Sequence, residues 1–524
     1  SRDASAPQVC RRGLAFASHL IPTFVLCSVS PGPLGPRMTV EDDKGEEEEK
    51  TSWRCWLRTL FAGSGAMLAF VFTGMVEAQS AVLLPQLKDK DSRIPVTPEE
   101  ETWIASLGIL TSPISAIISG PIVDMIGRKK GLQFFYVNIG VGFGIIACAT
   151  EVWHLYVGRI ICAFAVGLEV VAVVYLAEIC TKKQRSAIFS VMFTLAATGV
   201  LLTYVVGGYL PWNIASGIFS LACFAYLIIQ SLAPESPAWL FKTGRIEASI
   251  RSLQRLGRSN SGVLREVDLL KLSTQEKTEK FEFRIFLQPT VWKPFLILSI
   301  YHFLATASGA YDIMAYTVEF IAALGTSYDP LAASILLSVI RVIVNATAGI
   351  YFIGSVSRRL ATALSALLMT ISLLGTGLYS YVYREAAPGS KPHEWVPIAL
   401  MILNIGAGAI GVTSLPWLMS GEMFPLEVRG AMTGAAFVIG SGFMFLFIKI
   451  YYIMLEGLQM WGLLLAWAVP SAVAVAFAVW ILPETQGKTL YEIERGFLPQ
   501  GERMREPPQV APEQIEIDVT KNGT

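Results

Sequence analysis

Four carboxylates stand inside long apolar runs of this chain: Glu77, Glu169, Asp312 and Glu319. The bases read at comparable depth are Arg341 and Lys449. A charge in hydrocarbon is costly, so such residues are functional candidates that need a partner, a water-lined cavity or a proton. At ~1.5 Å of rise per helical residue, Asp312 lies roughly 27 Å past Pro294, where its run begins. Glu77 stands at a similar depth, and the offset of 235 residues (312 − 77) gives the two acids near-equivalent places in two chain halves. The partner expected for Asp312 is Arg341, on the next apolar run. Three roles are open for Asp312: an ion pair with Arg341, direct contact with a solute, or proton coupling, with Glu77 the other candidate acid. Catalysis finds no support, because there is no phosphate loop, metal cluster or nucleophile arrangement; neither a metal nor a cofactor is expected. His154, His302 and His393 stand alone, and the seven cysteines are scattered without metal or redox spacing.

The runs that carry these charges identify the class. Of 524 residues, 53% are hydrophobic and 16% charged, and the mean hydropathy is +0.52. Soluble domains carry about 25% charged residues, so the composition describes a polytopic membrane protein. The net charge is zero, nothing points to nucleic acid, and no obligate protein partner is evident; the bilayer and a small solute are the expected partners. A spanning helix needs ~20 apolar residues. Twelve runs qualify: 59–84, 102–122, 132–150, 153–177, 187–208, 211–232, 294–323, 331–354, 360–383, 395–420, 431–454 and 460–482. "GRKKG", "TKKQR", "SRR" and Arg429 fall on one side, which sets both termini in the cytoplasm.

The domain order follows. Residues 1–37 precede the first methionine, Met38, and read as an upstream leader; the run 13–28 lacks a clear signal-peptide cleavage site. Residues 38–58 form an acidic cytoplasmic tail, 59–232 a six-helix half, 233–291 a cytoplasmic helical domain, 292–482 a second six-helix half and 483–524 a cytoplasmic tail. The halves repeat. Glu178 and Arg185 stand seven apart, as do Glu422 and Arg429, at an offset of 244 (422 − 178). "PESPAWL" recurs as "PETQGKTL" at 249 (483 − 234), and the basic pair 128–129 recurs at 358–359. Duplicated halves with a site between them are a transporter architecture.

"GPIVDMIGRKKG", "VGRIICAFAVG", "VYLAEI", "PESPAWL", "PWLMSGEMFPLEVRG" and "PETQGKTL" resemble the sugar porter branch of the major facilitator superfamily, over about residues 59–495. "TGVLLTYVVGGYLPW" and the lysine of "FLFIKIYYIM" resemble insect facilitated trehalose transporters. The resemblance implies an all-α membrane fold of twelve helices in two repeats, and a carrier of sugar, trehalose or glucose, in the plasma membrane. It implies a cytoplasmic gate built from Asp124, Arg128, Glu178, Arg185, Glu235, Arg358, Glu422, Arg429 and Glu484. It also implies a substrate site at Trp417, Ser308, Gly309, Tyr311, Tyr316, Phe193 and Asp312. Departures are many. Met125, Gly354 and Ser357 replace residues of the loop motif. The helix-seven motif reads Ala305 to Tyr311 without its two glutamines and its asparagine, the helix-five glutamine slot holds Phe193, and the helix-eleven asparagine slot holds Gly440. The acid of proton-coupled members falls at Ser80, so facilitated diffusion is favoured over coupling. A carrier of another solute and a non-transporting receptor stay open as alternatives.

Overall fold

The computed structural model describes residues 53–89, 92–275, 283–386, 390–425, 428–488 and 490–498; the leader, most of both tails and the side chain of Arg185 lie outside it. The first half comprises α1 (Trp53–Leu87), α2 (Pro98–Ile126), α3 (Arg128–Ala147), the pair α4 (Val152–Gly167) and α5 (Val170–Ile179), α6 (Lys182–Tyr209) and α7 (Trp212–Leu232). Short helices α8 (Pro237–Lys242), α9 (Ile246–Arg255) and α10 (Asn260–Gln275) follow. The second half runs through α11 (Pro289–Ala307), α12 (Ala310–Ala315), α13 (Thr317–Ala323), α14 (Pro330–Ser355), α15 (Arg358–Val382), α16 (Trp395–Ile410), α17 (Leu415–Ser420) and α18 (Arg429–Trp480), before α19 (Leu490–Phe497).

Among the described residues, ten helical segments are long and apolar enough to cross a bilayer. Two of the twelve passes are concealed in that count. The 52-residue α18 is two passes, joined where Gln459 takes φ 57° and ψ 171°. The seventh pass is broken into α11, α12 and α13, with Gly309 at φ 75° between the first two. A Cβ at Gly309 would lie 2.1 Å from the Trp467 ring, so only glycine fits both the backbone angle and the space. Helices are the expected solution, because hydrocarbon offers no partners for unpaired backbone groups. The halves meet along α6 against α14 and α2 against α18.

Helix starts on the basic face are capped in duplicate. The Glu235 carboxylate accepts hydrogen bonds from the N–H groups of Arg128 and Lys129, each 3.0 Å long. Glu484 does the same for Arg358 at 2.9 Å and Arg359 at 3.2 Å. These are the first free donors of α3 and α15, where an anion is favoured. In the first copy the chain turns through Gly127 at φ 95°, and a Cβ there would sit 2.5 Å from the Glu235 carboxylate. In the second copy Ser357 turns at φ −59° and its hydroxyl accepts from the Leu360 N–H at 3.2 Å. The serine in the motif's glycine slot therefore costs nothing there. Gly127→Ala should lower stability by about 1–3 kcal/mol, read as reduced thermal stability in detergent. Gly120→Ala, with nothing within 4 Å of its Cβ, is the control and should shift it far less.

Candidate functional site

A cavity of about 50 Å³ lies between α6 of the first half and α12, α13, α14 and α16 of the second. Its wall includes Tyr204, Tyr311, Met314, Ser338, Arg341 and Asn404. Solute sites usually measure ~300–1,000 Å³, so the walls must part to admit a sugar.

Of the residues expected at the substrate site, Tyr311 lines this cavity. Its hydroxyl donates to the Thr413 carbonyl at 3.1 Å and accepts from the Trp417 indole N–H at 2.8 Å. Trp417 is thus held by Tyr311, and its ring packs edge-on against His302, centroids 4.5 Å apart. Phe193 reaches the interface through its carbonyl, 3.4 Å from the Asn345 amide. Ser308, Gly309 and Tyr316 do not line the cavity. Ser308 bonds back to Ala305 at 2.7 Å, Gly309 forms the helix break, and Tyr316 stacks on Tyr451 with centroids 4.5 Å apart. Where the helix-eleven amide is missing, a Cβ on Gly440 would lie 2.7 Å from His302 Nδ1, so the imidazole fills that slot.

The expected Asp312–Arg341 ion pair is not formed. Ala310, Tyr311, Met314 and Thr317 make the cavity face of the broken helix at helical spacing. Asp312 lies on the other face, 1% exposed, beside Tyr316 and Tyr451, with Oδ1 lacking a hydrogen-bond partner. Arg341 faces the cavity, where one of its N–H groups meets the Met314 sulfur. The acid within its electrostatic reach is Glu77, which lies near Glu169. Sequence reading passed over a third intramembrane base. Arg159 on α4 is 3% exposed and donates to the carbonyls of Val76 at 2.8 Å and Ile104 at 3.1 Å, bracing α1 and α2.

On the basic face the charged residues tie helices together within each half. Arg128 holds Glu178 through Nε and Nη2, each at 2.9 Å, and Asp124 through Nη1 at 2.9 Å. Lys242 meets the other Asp124 oxygen at 3.2 Å, and Ser236 bonds Glu178. The second half repeats the plan: Arg358 meets Glu422 at 3.0 Å, and Thr485 donates to Glu422 at 2.8 Å. Glu422 is engaged by Arg358, not by Arg429 seven residues on. Among the described residues Arg429 reaches the Phe424 carbonyl, at 3.4 Å, and its Nη2 has no partner. Partial burial pushes the Glu484 carboxyl up, but the N–H groups of Gln486, Arg358 and Arg359 and the Ser357 hydroxyl outweigh it and leave it below its ordinary value. Its cap is therefore at full strength above the usual carboxylate range and is lost only as pH falls through the lowered value.

On the opposite face the halves are joined to each other. Lys88, just past α1, lies 2.9 Å from Glu101 on α2 and 3.1 Å from Glu319 on α13. It also donates to the Tyr452 hydroxyl at 3.0 Å, and that hydroxyl bonds Glu319. Lys449 donates to Thr102 at 2.7 Å and sits 3.8 Å above the Trp103 ring. Deeper in, Ser80 donates to the Ala315 carbonyl at 3.2 Å, and the Tyr204 and Thr317 hydroxyls are 2.9 Å apart. Lys88 and Glu101 were not singled out in the sequence, because they flank a polar loop and look like ordinary surface charges.

Comparison with known proteins agrees with this architecture. A family model described as sugar (and other) transporter matches residues 41–497. The facilitated trehalose transporter Tret1 of Bombyx mori is 27% identical over 467 residues, 88% of this chain and 92% of its own. That of Apis mellifera ligustica is 27% identical over 457 residues, 86% and 90% of the two chains. The xylose transporter XylE of E. coli, in a partially occluded inward open conformation, superposes with a TM-score of 0.66 at 18% identity, covering 84% of this chain and all of that one. The match over most of its length places this chain in the sugar (and other) transporter family.

Proposed function

We propose that this protein carries a sugar, trehalose or glucose, across the plasma membrane by facilitated diffusion, with its basic face and both termini in the cytoplasm. The observation that carries the reading is the asymmetry of the two faces. Among the described residues, the ion pairs of the basic face lie within a half, whereas on the opposite face Lys88 meets both Glu101 of its own half and Glu319 of the other. That fits one end of an alternating cycle around a central cavity, with the halves joined on the outer face. The Lys and Arg excess of the basic face supports an orientation with that face inside. The trehalose carriers among the relatives support a sugar as cargo.

In the other state, Arg429, with an unengaged Nη2, and Arg185 at the matching place of the first half are the gate residues that would reach across. Asp124, Arg128, Glu178, Glu235, Arg358, Glu422 and Glu484 would hold the helix ends that present them. Exposed pairs are each worth about 0–1 kcal/mol, so several can bias rocking halves without locking them.

Cells with little native uptake, expressing the chain at their surface, should take up labelled trehalose or glucose saturably. A transmembrane pH gradient should not change the rate. Surface protein that takes up neither sugar would sink the reading. Lys88→Met should loosen the outer closure: a cysteine placed at Ser338 on the cavity wall should react several-fold faster with an impermeant thiol reagent applied outside. An unchanged rate would mean that Lys88 does not hold that face shut.

A further inference from the structure

We infer that Asn404 on α16 and Arg341 on α14 hold the transported solute, in place of the five amides missing from helices five, seven and eleven; the inference rests on the sugar-carrier reading above. Most polar groups of the cavity wall are already engaged with protein. The Tyr204 hydroxyl is taken by Thr317, that of Tyr311 by Trp417 and Thr413, and that of Ser338 by the Ser334 carbonyl at 2.9 Å. Two side chains differ. Asn404 is 1% exposed, lines the cavity, and has an amide nitrogen with no hydrogen-bond partner. An orphaned donor at that depth carries a desolvation cost that a ligand oxygen would remove. Arg341 lines the same cavity, touches only the Met314 sulfur through its N–H groups, and has no carboxylate within salt-bridge distance among the described residues.

These two helices pack side by side, so both donors face the cavity from one wall. A guanidinium offers five N–H donors in a rigid fork and no acceptor, and the amide adds two more. The complement is a ligand presenting adjacent acceptor oxygens, as a vicinal diol does. Glu77 on α1 lies within electrostatic reach of Arg341 from the other half. The solute class is therefore a sugar recognised through neighbouring hydroxyl oxygens by donors of the second half.

The test is tracer glucose flux through the purified full chain in liposomes. Asn404→Leu and Arg341→Met should each raise KM about tenfold, the loss of one hydrogen bond to a buried group, with maximal flux within about threefold of the parent. Deoxy-glucose analogues lacking one hydroxyl of the recognised pair should compete poorly against the parent but no worse than glucose against the variants. Asn404→Ser, smaller and still polar, covers the case in which leucine prevents folding; its KM should rise several-fold. A parent that moves glucose with variants of unchanged KM overturns the inference alone. A parent that moves neither glucose nor trehalose overturns the sugar-carrier reading and the inference with it.

Discussion

In each half one half-buried carboxylate ties the start of a helix to the chain that follows the half's last pass. Glu235 accepts from the first two N–H groups of α3, and Glu484 from those of α15. The arginine at each of these starts then reaches the acid of a third helix, Glu178 or Glu422. Three helix ends per half are thereby fixed by groups that hydrocarbon could not hydrate. Bonds of this kind brace each half internally, so a carrier built this way would change shape at the surface between the halves. The cavity wall and the outer closure both lie on that surface.

The interface has contacts of a kind that can be exchanged. Lys88 is 37% exposed while Glu101 and Glu319 are 6% and 15% exposed, so the cluster is partly wet and each bond is worth little alone. Aromatic packing of Trp103 against Phe445, centroids 6.3 Å apart, adds to it without fixing it. Moving a two-state equilibrium from one extreme to the other takes about 5.5 kcal/mol. A handful of such contacts on one face, set against a comparable handful on the other, lies in that range. A solute that binds both states equally would shift nothing, so its contacts must differ between them.

Much of the architecture was legible because its signals are redundant. Length and hydropathy mark the passes, and three motifs repeat in the same order. The break in the seventh pass, however, rotates everything after Gly309, and that rotation turns Asp312 toward Tyr451 and away from Arg341. Spacing along an unbroken helix could not reveal it. The pairing of Glu422 with Arg358 was hidden for a related reason: Glu422 lies in the turn that follows α17, and Arg429, seven residues on, opens α18. Arg159 lies within a recognised motif, and its role in bracing α1 and α2 depends on carbonyls that no sequence displays. Asn404 is a single amide in an apolar run, outside the family's usual amide positions, and nothing local distinguishes it from a packing residue.

The missing amides also have a positive consequence. With glycine at 440 the His302 ring occupies the space between α11 and α18 and leans on Trp417. With tyrosine at 311 in the asparagine slot, the Trp417 indole N–H is bonded to protein, at 2.8 Å. Both substitutions stiffen the region that glutamine and asparagine would otherwise leave polar and open. A wall so filled can no longer bind sugar hydroxyls there, and the unengaged donors that remain sit one layer away, on α14 and α16. On the solute-site inference above, the missing amides and the unengaged donors of Arg341 and Asn404 belong to one arrangement, in which recognition falls to α14 and α16 of the same cavity.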